Sequence, residues 1–591
     1  MHPQTNYYIG VDVGTGSARA CIIDDAGEIV GLASENIRLW QSKHGHYEQS
    51  TADVWRCICS AVRRAIRENN IPSSMVRGLA FDATCSLAVF ATDDDSPMSV
   101  TASTFDTDRN VILWLDHRAV IETERINTTQ HKVLEYVGGR MSVEMEIPKI
   151  LWLKNNMPAE TFARCKFYDL VDALTHLATG GETRSLCSLV CKQGYLPAGV
   201  EGSASGWPKD FLVQIGLGSL VEGNFQGIGG INDVNGRHLH AGELAGRLSE
   251  KAALDLGLPS SIAIGSGVID AYAGWIGTVG AKADFAVTTP RGCSTDDMRE
   301  TLFTRLSAVA GTSTCHLVMS PSPIFVPGVW GPYRDTILPG CWMAEGGQSA
   351  TGQLLQHVLE THPATQEAKS LAMFHQMDIF TFLNKRLEKM ADEQEAQCIP
   401  HLSRHLFFYG DLFGNRSPVA DSNMTGSIVG LTSDVSVDSL AILYYGTLEF
   451  IALQTRQIMD VMNKSGHNIT SIFMSGSQCQ NSILVHLIAS ACDIPVVIPR
   501  YVNAAVCHGA AMLAAKAASI DIEGMTTDLL EIMDRMSKPG KTFHPTKNFY
   551  EKSLLAAKYR VHLDQCHRQL KYRKMVDELV ASQDCLKISS K

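Results

Sequence analysis

Long apolar runs are missing. No stretch of the chain supplies the roughly 20 consecutive apolar residues that a membrane-spanning helix needs, and the opening MHPQTNYY has neither the basic nor the apolar region of a signal peptide. A cytoplasmic protein with no membrane partner is expected. Blocks of Lys and Arg are missing too: 51 basic residues face 62 acidic ones, for a net charge of −11, which speaks against nucleic acid as a partner. The 16 cysteines are scattered, and Cys57/Cys59 and Cys187/Cys191 lack a CxxC spacing or a matching second pair. That argues for reduced, structural thiols rather than a zinc or disulfide framework. What remains is an ordinary folded composition, 45% apolar and 19% charged, over 591 residues. Such a length is too great for one core and suits two large domains.

The most informative stretch is Tyr8 to Asp24, YIGVDVGTGSARACIID, which reads as strand, tight turn, strand. Gly14 and Gly16 let the backbone turn sharply with its N–H groups inward, and Thr15 and Ser17 add hydroxyls, so the turn can cradle an anion such as a phosphate. Asp12 ends the first strand beside that cradle. A carboxylate there repels phosphate unless Mg²⁺ or its water lies between them. Arg305 to Met319, RLSAVAGTSTCHLVM, repeats the device with Gly311, Thr312 and Ser313 in the turn. Two such turns suggest two related domains facing each other across a nucleotide.

Between them, Asp53 to Asn69 reads as an amphipathic helix. The segment DATCS places Asp82, Thr84 and Ser86 at a strand end, free either to meet a polyol or to cap a turn. WLDHRA brings Trp114 and Asp116 together, either as a solvated helix start or as part of a sugar site. PKILWLKNN and Phe167 to Leu177 both read as helices. Lys192 follows an apolar segment. In IAIGSGVIDAYAGWIG a buried strand leads through glycines to Asp270, read either as an N-cap or as a general base at a helix start. Residues 281 to 304 read as an inserted polar loop. Glu345, before two glycines, is expected on a turn near ligand. Gly476, Gln478 and Asn481 fall where a base and ribose could rest against a helix N-terminus. NAAVCHGAAMLAAKAA is a helix of small residues suited to close packing, and the last stretch, from Tyr550, is charged and helical.

In order, DVGTGSAR, DATCSL, WLDHRA, PKILWLKN, GVIDAYAG, AGTST, AEGGQSATG, FGNRSP, SGSQCQN and NAAVCHGAA resemble the FGGY carbohydrate kinases, in particular their ribulokinase and pentulose kinase branch. The resemblance implies an α/β fold with two ribonuclease-H-like domains of the actin/Hsp70 superfold and a catalytic cleft between them. The expected division is 1–275, 276–555 and a helical tail at 556–591. It implies ATP and Mg²⁺, with Asp12 on the metal, Asp12 to Ser17 and Gly311 to Thr314 as phosphate loops, and Gly476, Gln478 and Asn481 as the adenosine loop. Asp270 would be the catalytic base. Lys192, Asp270 and Glu345 would bind sugar in a pocket lined by the segments of Asp82, Thr84, Trp114 and Asp116. The expected reaction is transfer from MgATP to a terminal hydroxyl of D-ribulose. L-ribulose, ribitol or another polyol are the alternative substrates, and an ATP-driven scaffold of the same fold is the rival from another class. A homodimer stays open. Two departures stand out: the adenosine loop reads SGSQCQN where many members have three glycines, and 281–304 is longer than the family pattern.

Overall fold

The computed structural model describes residues 5–101, 105, 107–283, 295–520 and 524–589. Its architecture is set by two twisted sheets built on the same plan. In the first, β1 (Tyr7–Val13) and β2 (Ser17–Asp24) form the predicted hairpin, and β3 (Ile29–Asn36) extends it antiparallel. On the other side of β1, β4 (Val76–Ala83) and β6 (Ala263–Ile269) run parallel to it, and β5 (Leu244–Arg247) closes the edge antiparallel. In the second, β7 (Arg305–Ala310) and β8 (Thr314–Ser320) form the other hairpin. Two further antiparallel strands, β9 (Trp330–Arg334) and β10 (Trp342–Gln348), lie beside β8. Beyond β7 come β11 (Ser471–Ser475) and β12 (Val496–Ile498) in parallel, then β13 (Lys541–Phe543) antiparallel.

Strand β1 is apolar on both faces because both are covered, as parallel pairing requires. Ile9, Val11 and Val13 share a core with Val54, Ile58, Ala61 and Val62 of α1 (Thr51–Glu68), whose buried residues follow the helical spacing read from the sequence. Residues 8, 10 and 12 point the other way. There Gly10 is needed, since a Cβ would stand 2.0 Å from the Cys507 carbonyl oxygen. Asp12 is the next residue on that face, at the mouth of the cleft.

The helices that follow the two sheets are exchanged. Helix α3 (Asp270–Val279) leaves the first sheet and packs on β7 and β11 of the second, with α2 (Leu186–Lys192) preceding it in the chain. Helices α4 (Gly352–Thr361), α5 (Val437–Lys464) and α6 (Ser482–Cys492) belong to the second half. Helix α7 (Ala505–Ala518) then returns to pack on β1, β4 and β6 of the first sheet. Helices α3 and α7 cross at near-contact of backbone: a Cβ on Gly277 would lie 1.9 Å from the Ala505 carbonyl oxygen. The small residues read from AYAGWIG and NAAVCHGAA serve this crossing.

Four expectations need correction. The boundary expected at 275/276 falls inside α3. The segment expected as a separate tail from 556 is part of one helix, α8 (Phe549–Ser589), whose Leu555, Tyr559 and Cys566 are buried in the second core. Of the stretch read as an inserted loop, 284–294 lies outside the described residues, but Thr295–Leu302 is a helix. Residues 167–177 split into a strand, Cys165–Asp169, and a helix, Leu170–Thr179, because the Asp169 carboxylate accepts from the Val171 N–H and starts the helix. Among the described residues no helix is long and apolar enough to cross a membrane.

Candidate active site

The parallel strands β1, β4 and β6 end together, and each end delivers a carboxylate. Asp12 and Asp82 are direct neighbours in the β1–β4 register, and Asp270 is the first residue of α3, just past β6. Asp12 is 2% exposed and ion-paired with Arg19 at 2.7 Å, its cross-strand partner on β2. Asp82 is fully buried, and neither of its oxygens finds a hydrogen-bond donor among the described residues. Asp270 is not an N-cap: the cap position is Ile269, and Asp270 Oδ1 accepts from the Ala271 N–H at 2.7 Å.

Burial raises all three. It lifts Asp12 against the pull of Arg19, lifts Asp82 well above the carboxylate range with help from Asp12 and Asp270, and lifts Asp270 to about 7, Asp12 adding to it. Three carboxylates share one guanidinium, and the uncompensated charge is what a divalent cation would neutralise. An all-oxygen donor set fits a hard ion such as Mg²⁺.

The two hairpin turns flank this cluster. In the first, the Gly14 N–H donates to Ser17 O at 3.0 Å, Thr15 O accepts from Gln49 Nε2 at 2.8 Å, and Thr15 Oγ1 accepts from Trp114 Nε1 at 3.0 Å. A Cβ on Gly16 would meet nothing within 4 Å, so that side of the turn is open. The second turn is clamped from outside. Thr312 O accepts from the Thr351 and Gln353 N–H groups, while Gly311 O accepts from the Gly352 N–H and from Gln478 Nε2 at 2.7 Å. Gln478 Nε2 also donates to Thr351 Oγ1 at 2.7 Å, so this amide ties the loop after β11 to the turn after β7. Gly476 must be glycine: its φ is +94°, and a Cβ would lie 2.2 Å from Ala310 O. Asn481 caps α6 through the Leu484 N–H and donates to Tyr444 Oη at 2.6 Å. The loop lies between β11 and α6, and its Gln478 and Asn481 amides hold scaffold rather than standing free.

Opposite the turns, Lys192 at the end of α2 meets Glu345 from the other half at 3.2 and 3.3 Å, both nearly fully buried. Burial pulls the lysine down, but Glu345, helped by Cys85, Tyr333 and Cys191, more than offsets it and holds Lys192 well above its usual range. Its ammonium lies 4.4 Å from the Trp330 ring centroid, and Tyr272 Oη donates to Glu345 Oε2 at 3.1 Å. Glu345 sits inside strand β10, not on the expected turn; the glycines after it are strand residues across from β8.

Two of the predicted pocket residues are occupied elsewhere. Both Asp116 oxygens are taken by Arg118 and by the Tyr47 N–H, and the side chain is fully buried. Thr84 Oγ1 pairs with Ser86 Oγ at 3.1 Å. Several residues were not singled out by sequence reasoning. Arg416, within FGNRSP, makes a two-pronged contact with Glu144 of the other half at 2.9 and 3.1 Å, its guanidinium 5.8 Å from the Trp114 ring and 5.5 Å from that of Trp330. Arg19, Tyr272 and Trp330 join it. The FGNRSP motif was the available signal for Arg416 and DVGTGSAR for Arg19, while the partners of Arg416, Tyr272 and Trp330 lie far away in sequence.

Residues 7–188 match the N-terminal domain, and 306–518 the C-terminal domain, of the FGGY family of carbohydrate kinases. The chain belongs to that family. This FGGY kinase is 50% identical to a Saccharomyces cerevisiae D-ribulokinase over 525 residues, 88% of this chain and 73% of the relative. It is 40% identical to a human FGGY carbohydrate kinase domain-containing protein over 576 residues, 97% and 98% of the two chains. Among solved structures it resembles a Brucella ovis xylulose kinase, with a TM-score of 0.72 at 20% identity over 97% and 100% of the chains, and so shares its fold. The sugar-kinase assignment, the two-domain α/β architecture and ATP as co-substrate follow from the family.

Proposed function

We propose that this kinase transfers the γ-phosphoryl group of MgATP to the terminal hydroxyl of D-ribulose, giving D-ribulose 5-phosphate. The observation that carries the reading is the place of Asp270: a half-buried carboxylate raised to about 7, fixed at the start of a helix beside Asp12. The 50% identity to a D-ribulokinase supports the choice of sugar.

In this mechanism the Lys192–Glu345 pair binds the sugar's far hydroxyls, and Trp330 bounds that end of the pocket. Asp270 Oδ2, the oxygen not engaged by Ala271, accepts the proton of the attacking hydroxyl. The N–H groups of Thr15 and Gly16 in the first turn, and of Thr312 and Ser313 in the second, bind the phosphates and hold the donor in line. Asp12, with Asp82 behind it, holds Mg²⁺, which would supply charge neutralisation at the phosphates. Buried contacts between the halves, Lys192–Glu345 and Glu144–Arg416, keep the cleft closed and exclude water as a competing acceptor.

The direct test is to incubate the protein with MgATP and D-ribulose and identify the phosphorylated product by phosphorus NMR. A phosphate ester on the terminal carbon is expected. ADP formed only as hydrolysis, with inorganic phosphate and no ester, would overturn the reading.

A further inference from the structure

Two tyrosines flank the Lys192–Glu345 pair, and only one of them is satisfied. Tyr272 Oη donates to Glu345 and accepts from Cys191 Sγ at 3.0 Å. Tyr333 is 1% exposed, and its hydroxyl has no hydrogen-bond partner among the described residues. A buried hydroxyl without a partner costs folding free energy, and such groups persist where something else completes them.

The strand geometry explains how Tyr333 comes to face the pocket. Strand β9 pairs with β10 through Trp330↔Glu345 and Tyr333↔Met343, with one extra β9 residue between the two pairs. In a regular strand, residues three apart point to opposite faces; the bulge puts Trp330 and Tyr333 on the same face, that of Glu345 and Met343. Lys192 enters on that face and rests over Trp330. Burial sets the phenol well above its usual range, and the nearby Lys192 pulls it back while Cys191, Glu345 and Cys85 push it further, which places the hydroxyl among the groups of the sugar end of the cleft.

We propose that Tyr333 is a specificity-determining residue whose hydroxyl hydrogen-bonds a hydroxyl of the bound sugar beside the Lys192–Glu345 pair. The inference rests on the proposed sugar-kinase reading of the cleft and refines it. Lys192 already has Glu345 as its partner, and Glu345 accepts from Lys192 and Tyr272. The Tyr333 hydroxyl is the neutral group left uncommitted there, able both to donate to and to accept from a polyol. It would favour sugars that carry a hydroxyl at that point over deoxy analogues, because the analogue leaves the phenol buried and unpaired.

The test uses the full chain and its Tyr333→Phe variant, which keeps the ring and removes only the oxygen. D-Ribulose kcat/KM is expected to fall about tenfold to hundredfold, mostly through KM, while the KM for ATP and sugar-independent ATP hydrolysis hold. The variant should also lose discrimination between D-ribulose and whichever singly deoxygenated analogue the parent rejects. Equilibrium binding of D-ribulose, read by tryptophan fluorescence, should weaken in parallel. Kinetics within twofold of the parent, or lower thermal stability with unchanged sugar KM, would overturn the assignment of Tyr333 alone. A parent enzyme that neither binds nor phosphorylates any pentulose would instead overturn the reading of the cleft on which the inference stands.

Discussion

The two hairpins share a backbone device but not a chemistry. Across the first hairpin Asp12 faces Arg19; across the second, the corresponding cross-strand pair is Val309 with Cys315, and the turn is one residue shorter. Both turns have open space over a glycine, Gly16 in the first and Gly311 in the second, but only the first borders the carboxylates. In the second, α4 and Gln478 hold the turn from behind, and Val309 packs toward Gly274 of α3. The comparison teaches that the fold duplicates its hairpin turn while the carboxylates gather on one side. A second metal-type carboxylate would have added negative charge opposite the first, where the phosphates already supply it.

Substitutions can break that asymmetry in graded ways. Asp270→Asn should cause the largest loss: kcat falls by about 10²–10⁴-fold as the base is removed, with ATP affinity nearly unchanged, measured by coupled ADP release and nucleotide titration. Asp12→Asn should come next, raising the Mg²⁺ concentration needed for half-maximal rate at least tenfold, roughly what losing one charged ligand costs. Val309→Ala, its counterpart in the second hairpin, should leave the Mg²⁺ requirement unaltered and cost about 1–2 kcal/mol in denaturant unfolding. Gly277→Ala should destabilise the crossing of α3 and α7 by about 2–3 kcal/mol, since its Cβ meets backbone. Gln478→Ala should have the smallest effect, a several-fold rise in the KM for ATP, because it frees one anchor of the second turn.

The pH dependence tests the charge side of the comparison. Asp270 must be ionised to accept a proton, and its raised pKa means the acid form dominates below about 7. At subsaturating sugar and limiting Mg²⁺, kcat/KM should therefore climb with pH through about 7 and level off above. Saturating Mg²⁺ should move the rise to lower pH, because the cation favours the ionised carboxylate.

Much of this arrangement was legible in the residues. The two GTG/GTS hairpins, α1, and the two small-residue helices are local patterns in which periodicity and turn chemistry agree with the final fold. Glu345 reads as a turn residue because paired glycines follow it, whereas here they let a strand pack closely: a Cβ on Gly346 would stand 3.1 Å from both Ile458 and Met462. Asp116 reads as a pocket residue because it neighbours Trp114 in sequence, whereas in the fold Arg118, two residues on, engages both of its oxygens. Arg416, Glu144 and Tyr333 gain their meaning only from contacts between the halves, or from a bulge that no single stretch encodes. The exchange of α3 and α7 was likewise invisible, since each helix reads the same whichever sheet it covers.

The measurement that tests the central claim most directly is kcat/KM, by ADP release with MgATP, across D-ribulose, L-ribulose, D-xylulose, ribitol, L-arabinitol and glycerol. D-Ribulose should lead by a wide margin, and Asp270→Asn should cut the sugar-dependent rate by about 10²–10⁴-fold. Nucleotide binding with no stimulation by any of these sugars, or a variant that turns over like its parent, would contradict the claim.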